Sequence, residues 1–321
     1  MRFLVAPDSF KGTFEAGAVA EAIASGLEAG GAEAERCPVG DGGEGTMDVL
    51  LGALGGERRW AAVHDALRRP LEASFGLLGD GATAIVETAQ ASGLPLVAPE
   101  ERDPERAETF GTGELIAAAV AAGARRVLLA VGGSASTDGG VGAIEALRGA
   151  GLLGSVETEV LCDVTAPYED AARLFAPQKG ADAAAVERLS ARLARVAAEL
   201  PRDPRGLPMG GCAGGLSGAL WAYGAHLQPG AAFVLDAVGF DALLARAGAV
   251  VSGEGRFDSQ SLEGKVVGEI AGRCAAAGKP LHLVVGESAL EAEPPAAISS
   301  ITQARSLEEM RRVACGLANA R

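Results

Sequence analysis

Glu254, Arg256, Asp258 and Lys265 fall together in GEGRFDSQSLEGK, residues 253–265, directly after the apolar run 247–251. Carboxylates hold hard divalent cations, and arginine or lysine neutralises a phosphoryl group in transfer. The stretch therefore suits a phosphate ester and its metal. Three other stretches repeat the mixture of acid, glycine and hydroxyl or base. Asp8, Ser9 and Lys11 lie in APDSFKGTF; Asp41, Gly42, Gly43, Glu44 and Gly45 in GDGGEGT; Gly132, Gly133, Ser134 and Asp138 in GGSASTDGG. One such loop is ordinary turn or cap chemistry, but four exceed what turns require. Asp163 in CDV, and Gln178 and Lys179 in PQKGA, add an acid, an amide and a base. Gly214 and Gly215 in GGCAGGLSGA either cradle phosphate or permit close helix packing.

The elements that must carry these loops alternate. Strand, loop and helix open the chain (residues 2–6, then 16–29), and a second strand (34–39), glycine turn and helix (47–54) follow. The C-terminal part repeats the rhythm with strands at 249–251, 281–285 and 298–301 and helices at 266–277 and 307–317. Such alternation implies parallel strands covered on both faces. Residues 57–88 read instead as an antiparallel meander, followed by helix 113–122, strand 127–131, helix 140–147, strand 157–161 and a charged surface helix at 181–200. The expected fold is α/β with two α/β domains. A flavodoxin-like parallel-sheet domain is built from both termini, 1–57 and 248–321, and residues 58–247 form an inserted mixed α/β domain. The ligand site is expected in the cleft between them, with the chemistry at the carboxyl ends of the strands. Trp60, Trp221 and Phe233 are expected in the core.

Composition removes several classes of function. A net charge of −14 disfavours nucleic acid and anionic membrane as partners. No apolar run reaches membrane-spanning length, and five scattered cysteines without a C-x-x-C pair fit a reducing compartment, so the expected location is the cytoplasm. Three histidines, none at i, i+4 spacing, direct any metal to oxygen ligands. The P-loop, the dinucleotide fingerprint and the G-x-S-x-G elbow are all absent.

In order along the chain, APDSFKGTF, VGDGGEGT, ETFGTGELI, VGGSASTDGGVG, CDV, PQKGA, GCAGGLSGAL and SGEGRFDSQSLEGK resemble the bacterial glycerate kinase family, from the N-terminus to about Gly286. The resemblance implies a two-domain α/β kinase that phosphorylates D-glycerate with ATP and Mg²⁺, 2-phosphoglycerate being favoured over 3-phosphoglycerate. The chain departs from the family pattern at Ser136 and Thr137, and at Ala166, Pro167 and Tyr168, where one wall of the site is altered and shortened.

Within that reading Arg256, with its planar fork, takes the substrate carboxylate. Asp8, Ser9, Glu254, Gln178 and Lys179 complete the substrate contacts, and Lys11 and Lys265 offset charge on the transferring group. Asp41 or Asp138 accepts the hydroxyl proton. Asp163 and Asp258 hold Mg²⁺, and Gly42, Gly43, Gly45, Gly132, Gly133, Ser134, Gly214 and Gly215 shelter phosphates. A homodimer stays open. The alternatives are a sensor for a sugar acid or nucleotide on the same scaffold, and a kinase for a related hydroxy acid such as tartronate.

Overall fold

Strand-forming apolar runs and amphipathic helices assemble into two sheets. The computed structural model describes residues 1–262, 264–290 and 293–319. Chain order begins with β1 (Arg2–Val5), α1 (Ala16–Ala29), β2 (Glu33–Arg36), α2 (Thr46–Leu54), β3 (Gly56–His64), β4 (Pro70–Leu78), β5 (Thr83–Glu87), α3 (Thr88–Ser92), α4 (Phe110–Ala121), β6 (Arg126–Ala130) and α5 (Val141–Gly149). It continues with β7 (Glu157–Cys162), α6 (Ala171–Phe175), α7 (Ala183–Glu199), α8 (Cys212–Ala222), β8 (His226–Pro229), α9 (Gly230–Ala237), α10 (Phe240–Arg246), β9 (Ala249–Phe257), α11 (Val266–Ala277), β10 (Leu281–Ser288), β11 (Ile298–Gln303) and α12 (Leu307–Asn319).

One sheet has the order β11-β10-β9-β1-β2 with every pairing parallel. Numbered within that sheet this is 2-1-3-4-5, the flavodoxin-like order, whose switch point lies between β1 and β9. The other sheet, β3-β4-β5-β6-β7-β8, is antiparallel across β3, β4 and β5 and parallel from β5 to β8. The fold is thus α/β with one parallel and one mixed sheet.

The chain divides into two compact units, residues 1–41 with 231–321, and residues 42–230. Relative to the boundaries expected from sequence, α2 falls in the second unit, and α9 and α10 in the first. In the first unit α1 packs along α12, with Gly26 so close that a Cβ there would lie 2.2 Å from the Arg311 carbonyl oxygen. Phe3, Val5, Ile23, Leu27, Val251 and Met310 form that core. In the second unit Leu115, Val127, Leu129, Val160 and Leu216 are central. Trp60 departs from expectation: it is 60% exposed on the edge strand β3, while Trp221 and Phe233 are half-buried.

Candidate active site

The charged segment after residue 251 is not a loop at its start. β9 runs on to Phe257, held by the parallel partner β10, with Val284 opposite Gly253 and Glu287 opposite Arg256. Backbone pairing carries the strand where apolar patterning stops. Side chains alternate along a strand, so Glu254 and Arg256 share one face while Gly253, Gly255 and Phe257 take the other. The glycines are required by crowding: a Cβ on Gly253 would lie 2.0 Å from the Val284 carbonyl oxygen, and one on Gly286 2.5 Å from that of Gly255. Beyond β9, Asp258 closes a turn by accepting from Gln260 N at 3.0 Å, and Lys265 stands immediately before α11.

Asp8 enters beside β9 because its backbone N donates to Gly253 O at 2.9 Å, and Asp41 follows β2. Asp8, Ser9, Lys11, Asp41, Glu254, Arg256, Asp258 and Lys265 line one cavity of about 490 Å³ in the first unit. Sequence reasoning missed Phe10, Thr13, Phe14, Gly286, Glu287 and Arg305 in the same lining. Glu287 and Arg305 lie just where the last two parallel strands end, so topology was the signal that could have found them.

Burial dominates the electrostatics of this cavity. It pushes Asp8 up to about 8, helped by the Asp41 carboxylate and opposed by Lys11 and the Ser9 N–H. Glu254 rises to about 7, again chiefly by burial, with Ser261 and Lys265 opposing. The Oε1 atom of Glu254 is buried with no hydrogen-bond partner among the described residues. Lys11 Nζ pairs with Asp41 Oδ2 at 2.8 Å, the lysine half-exposed and the aspartate buried. Arg256 stands 3.4 Å from Asp258. Three carboxylates facing basic side chains, two of them costly to ionise, form an arrangement built to receive a proton or a cation.

The remaining expected residues belong to the second unit. Asp138 is fully buried and accepts four hydrogen bonds, from Thr109 N (3.0 Å), Thr109 Oγ1 (2.8 Å), Gly140 N (3.0 Å) and Gly142 N (3.0 Å). Those bonds tie together the starts of α4 and α5, which is a capping arrangement, not that of a base waiting for a proton. Gly214 and Gly215 sit at a left-handed kink near the start of α8, where a Cβ on Gly214 would meet Ser136 O at 2.3 Å and one on Gly215 would meet the Tyr168 ring at 2.8 Å. Close packing accounts for both. Gly43 and Gly132 likewise press on each other, the Gly132 Cβ position lying 2.7 Å from Gly43 Cα.

Lys179 is buried, with Nζ donating to Ser134 Oγ at 3.1 Å and to the Ser136 carbonyl; burial pulls it down to about 8. Gln178 beside it is exposed. Asp163 belongs to this unit and Asp258 to the first, so the expected metal pair is divided between the two compact units. The hydroxyls of Thr46, Thr88, Ser136 and Thr137 are buried without partners among the described residues. Glu87, not singled out from sequence, accepts from Met47 N at 2.7 Å at the start of α2, and burial raises it to about 7.

The family model described as Glycerate kinase family matches residues 3–154 and 148–316. The chain belongs to the glycerate kinase family. It is 40% identical to the glycerate kinase of Bacillus subtilis over 83% of this chain and 79% of that one. Identity to the glycerate 2-kinase of Escherichia coli is 37%, over 89% and 85%. A crystal structure from Salmonella typhimurium LT2, provisionally named glycerate kinase 2, superposes with a TM-score of 0.83 at 34% identity, covering 99% of this chain and 97% of that one. Membership makes the chain an enzyme, a kinase, and a kinase implies ATP as phosphate donor. Among the described residues no helix is long and apolar enough to cross a membrane.

The family departures also acquire a physical reading. Tyr168 is fully buried, donates to Gly139 O at 3.3 Å and packs with Ala171, Ala172, Leu189 and Leu193. Its ring fills the space beside Gly139 and Gly215, so this glycerate kinase closes its altered segment with an aromatic anchor. Ser136 and Thr137 keep their place in the loop but leave both hydroxyls without partners among the described residues.

Proposed function

We propose that this chain transfers the γ-phosphoryl group of ATP to a hydroxyl of D-glycerate, with 2-phosphoglycerate favoured over 3-phosphoglycerate. The observation that carries the reading is the first-unit cavity, where Asp8, Asp41 and Glu254 face Lys11, Arg256 and Lys265. Glycerate presents one carboxylate and two hydroxyls, so its pocket needs a cationic fork and a proton acceptor. Arg256 binds the carboxylate. The Asp8 and Asp41 carboxyls, close enough to perturb each other, accept the hydroxyl proton as a coupled pair. Asp138, saturated by its four donors, is left a structural role. Lys11 and Lys265 offset charge on the moving phosphoryl group.

The donor set suits Mg²⁺. The orphaned Glu254 oxygen, on the cavity carboxylate not given to proton transfer, supplies a hard anionic ligand. Among the described residues no group of three or more His, Cys, Asp or Glu side chains is spaced to hold a metal, so waters and phosphate oxygens would complete the shell, as is usual for this ion. When bound, Mg²⁺ would neutralise developing charge on the phosphate oxygens. In the second unit the hydroxyls of Thr46, Ser136 and Thr137, buried without partners among the described residues, remain the phosphate contacts together with Gly45 and Gly133, where an added Cβ would meet no backbone. Ser134 is tied to Lys179, and Gly42, Gly43, Gly132, Gly214 and Gly215 are taken up by close packing. All five cysteines are free and four are buried, which supports work in the reducing cytoplasm.

The test is ADP release with D-glycerate, ATP and Mg²⁺, coupled to enzymatic identification of the product. Turnover giving 2-phosphoglycerate supports the whole reading, and 3-phosphoglycerate would correct only the position. Folded protein that binds D-glycerate without turnover would mark it as a sensor, and a higher kcat/KM for tartronate would move the substrate.

A further inference from the structure

Four cations ring the first-unit cavity, and three already face acids. Lys11 pairs with Asp41, Arg256 stands near Asp258, and Lys265 acts on Glu254. Arg305 is the fourth, and among the described residues its guanidinium has no ion pair. It is not a wandering surface arginine by backbone. Ala304 N donates to Val285 O at 2.8 Å, which extends the β10 pairing to the residue before it. Arg305 N donates to Glu309 Oε2 at 2.7 Å while Ser306 Oγ accepts from Glu309 N at 3.2 Å. This reciprocal cap on α12 satisfies helix donors and fixes the stem of Arg305 at the cavity wall. The neighbouring acids of that first turn are engaged elsewhere, Glu309 in the cap and Glu308 with Arg312.

Arg305 is exposed, but its backbone is held at a cavity lined by Asp8, Asp41 and Glu254, and a guanidinium given no carboxylate of its own among the described residues is completed by an anionic ligand. A planar fork suits a carboxylate better than a lysine does. We propose that Arg305 is the second arm of a carboxylate clamp with Arg256, and that it determines specificity for a hydroxy acid over a neutral polyol. This rests on the glycerate kinase reading above. Arg256, partly neutralised by Asp258, is thereby relieved of holding the carboxylate alone.

The test is steady-state kinetics of the full chain with Arg305→Ala and Arg305→Lys, using D-glycerate, ATP and Mg²⁺, with glycerol as the neutral comparison. The expected result is a KM for D-glycerate raised at least tenfold in Arg305→Ala and less in Arg305→Lys, with the KM for ATP and the thermal midpoint changed by less than about twofold and 2 °C respectively. Discrimination between glycerate and glycerol, as the ratio of kcat/KM values, falls by the same factor. An unchanged glycerate KM in the active variant overturns the clamp and leaves the kinase reading standing. A rise confined to the KM for ATP overturns it too, because Arg305 then serves the nucleotide phosphates. A wild-type chain without glycerate turnover overturns both.

Discussion

Asp41 and Asp138 are both buried aspartates in glycine-rich loops, and sequence alone offered them as equal candidates for the same task. Asp138 has its oxygens filled by three backbone amides and one hydroxyl, all within its own unit. Asp41 faces a half-exposed lysine and a second carboxyl that burial holds near 8. The difference teaches where burial leads. A buried carboxylate surrounded by fixed amides is satisfied and becomes a scaffold, whereas one surrounded by other acids and movable cations keeps a free-energy cost that substrate, proton or metal can relieve.

The sharpest way to break this contrast is to remove each carboxylate in turn. Asp41→Ala is expected to lower kcat by about a hundredfold or more while unfolding near the wild-type temperature. Asp138→Ala is expected to strand four buried donors and cost on the order of 3 kcal/mol or more, read as a large fall in the thermal midpoint. If Asp138→Ala unfolds like wild type but is inactive, and Asp41→Ala retains its activity, the two roles are reversed.

The same contrast extends to glycine. Gly214 has a φ of +65°, and its Cβ position lies 2.3 Å from a carbonyl oxygen. Gly214→Ala should therefore cost about 2–4 kcal/mol through backbone strain and overpacking combined. Chemical denaturation measures it, and a cost below about 1 kcal/mol would return this loop to the phosphate-cradling role.

How much of this was legible depends on which force decided each element. The helices Ala16–Ala29 and Val266–Ala277 have the bounds that apolar periodicity gave them, because tertiary burial acts on the same pattern that can be read locally. β8 was not anticipated, since His226–Pro229 is short and half-polar and depends on the neighbouring β7 for its pairing. The continuation of β9 through Glu254 and Arg256 was hidden for a related reason: β10 supplies its hydrogen bonds, and charge in the sequence looked like a loop. For the site, eight of the expected residues line one first-unit cavity, but hydrogen-bond saturation has no sequence signature. Nothing in STDGG distinguishes a cap from a base until Thr109 and Gly142 are seen around it.

A pH series sharpens the comparison with a smaller effect. Asp8 and Glu254 have native values raised to about 8 and about 7, above their ordinary carboxylate values. Between about pH 4 and pH 8 the unfolded chain therefore binds fewer protons at these sites than the native one, and stability falls as pH rises through this window. Asp8→Asn removes one such acid. Its thermal midpoint should exceed that of wild type at pH 8, and the gap should shrink towards pH 4. A gap that stays constant with pH would mean that Asp8 is not held in its protonated form.

The smallest expected effect concerns size without burial. Trp60 is the bulkier kind of side chain that composition alone would assign to a core, yet it stands 60% exposed on the edge strand β3. Trp221 differs, being half-buried with the Arg202 guanidinium 4.1 Å above its ring. Free energy follows the area removed from water, not the area a residue possesses. Trp60→Ser should accordingly stay within about 0.5 kcal/mol of wild type, whereas Trp221→Ala should cost more through lost packing and cation–π contact. Urea denaturation of both variants ranks them. If Trp60→Ser proves the more destabilising, the edge of β3 is covered in solution, and its exposure is not that of the isolated chain.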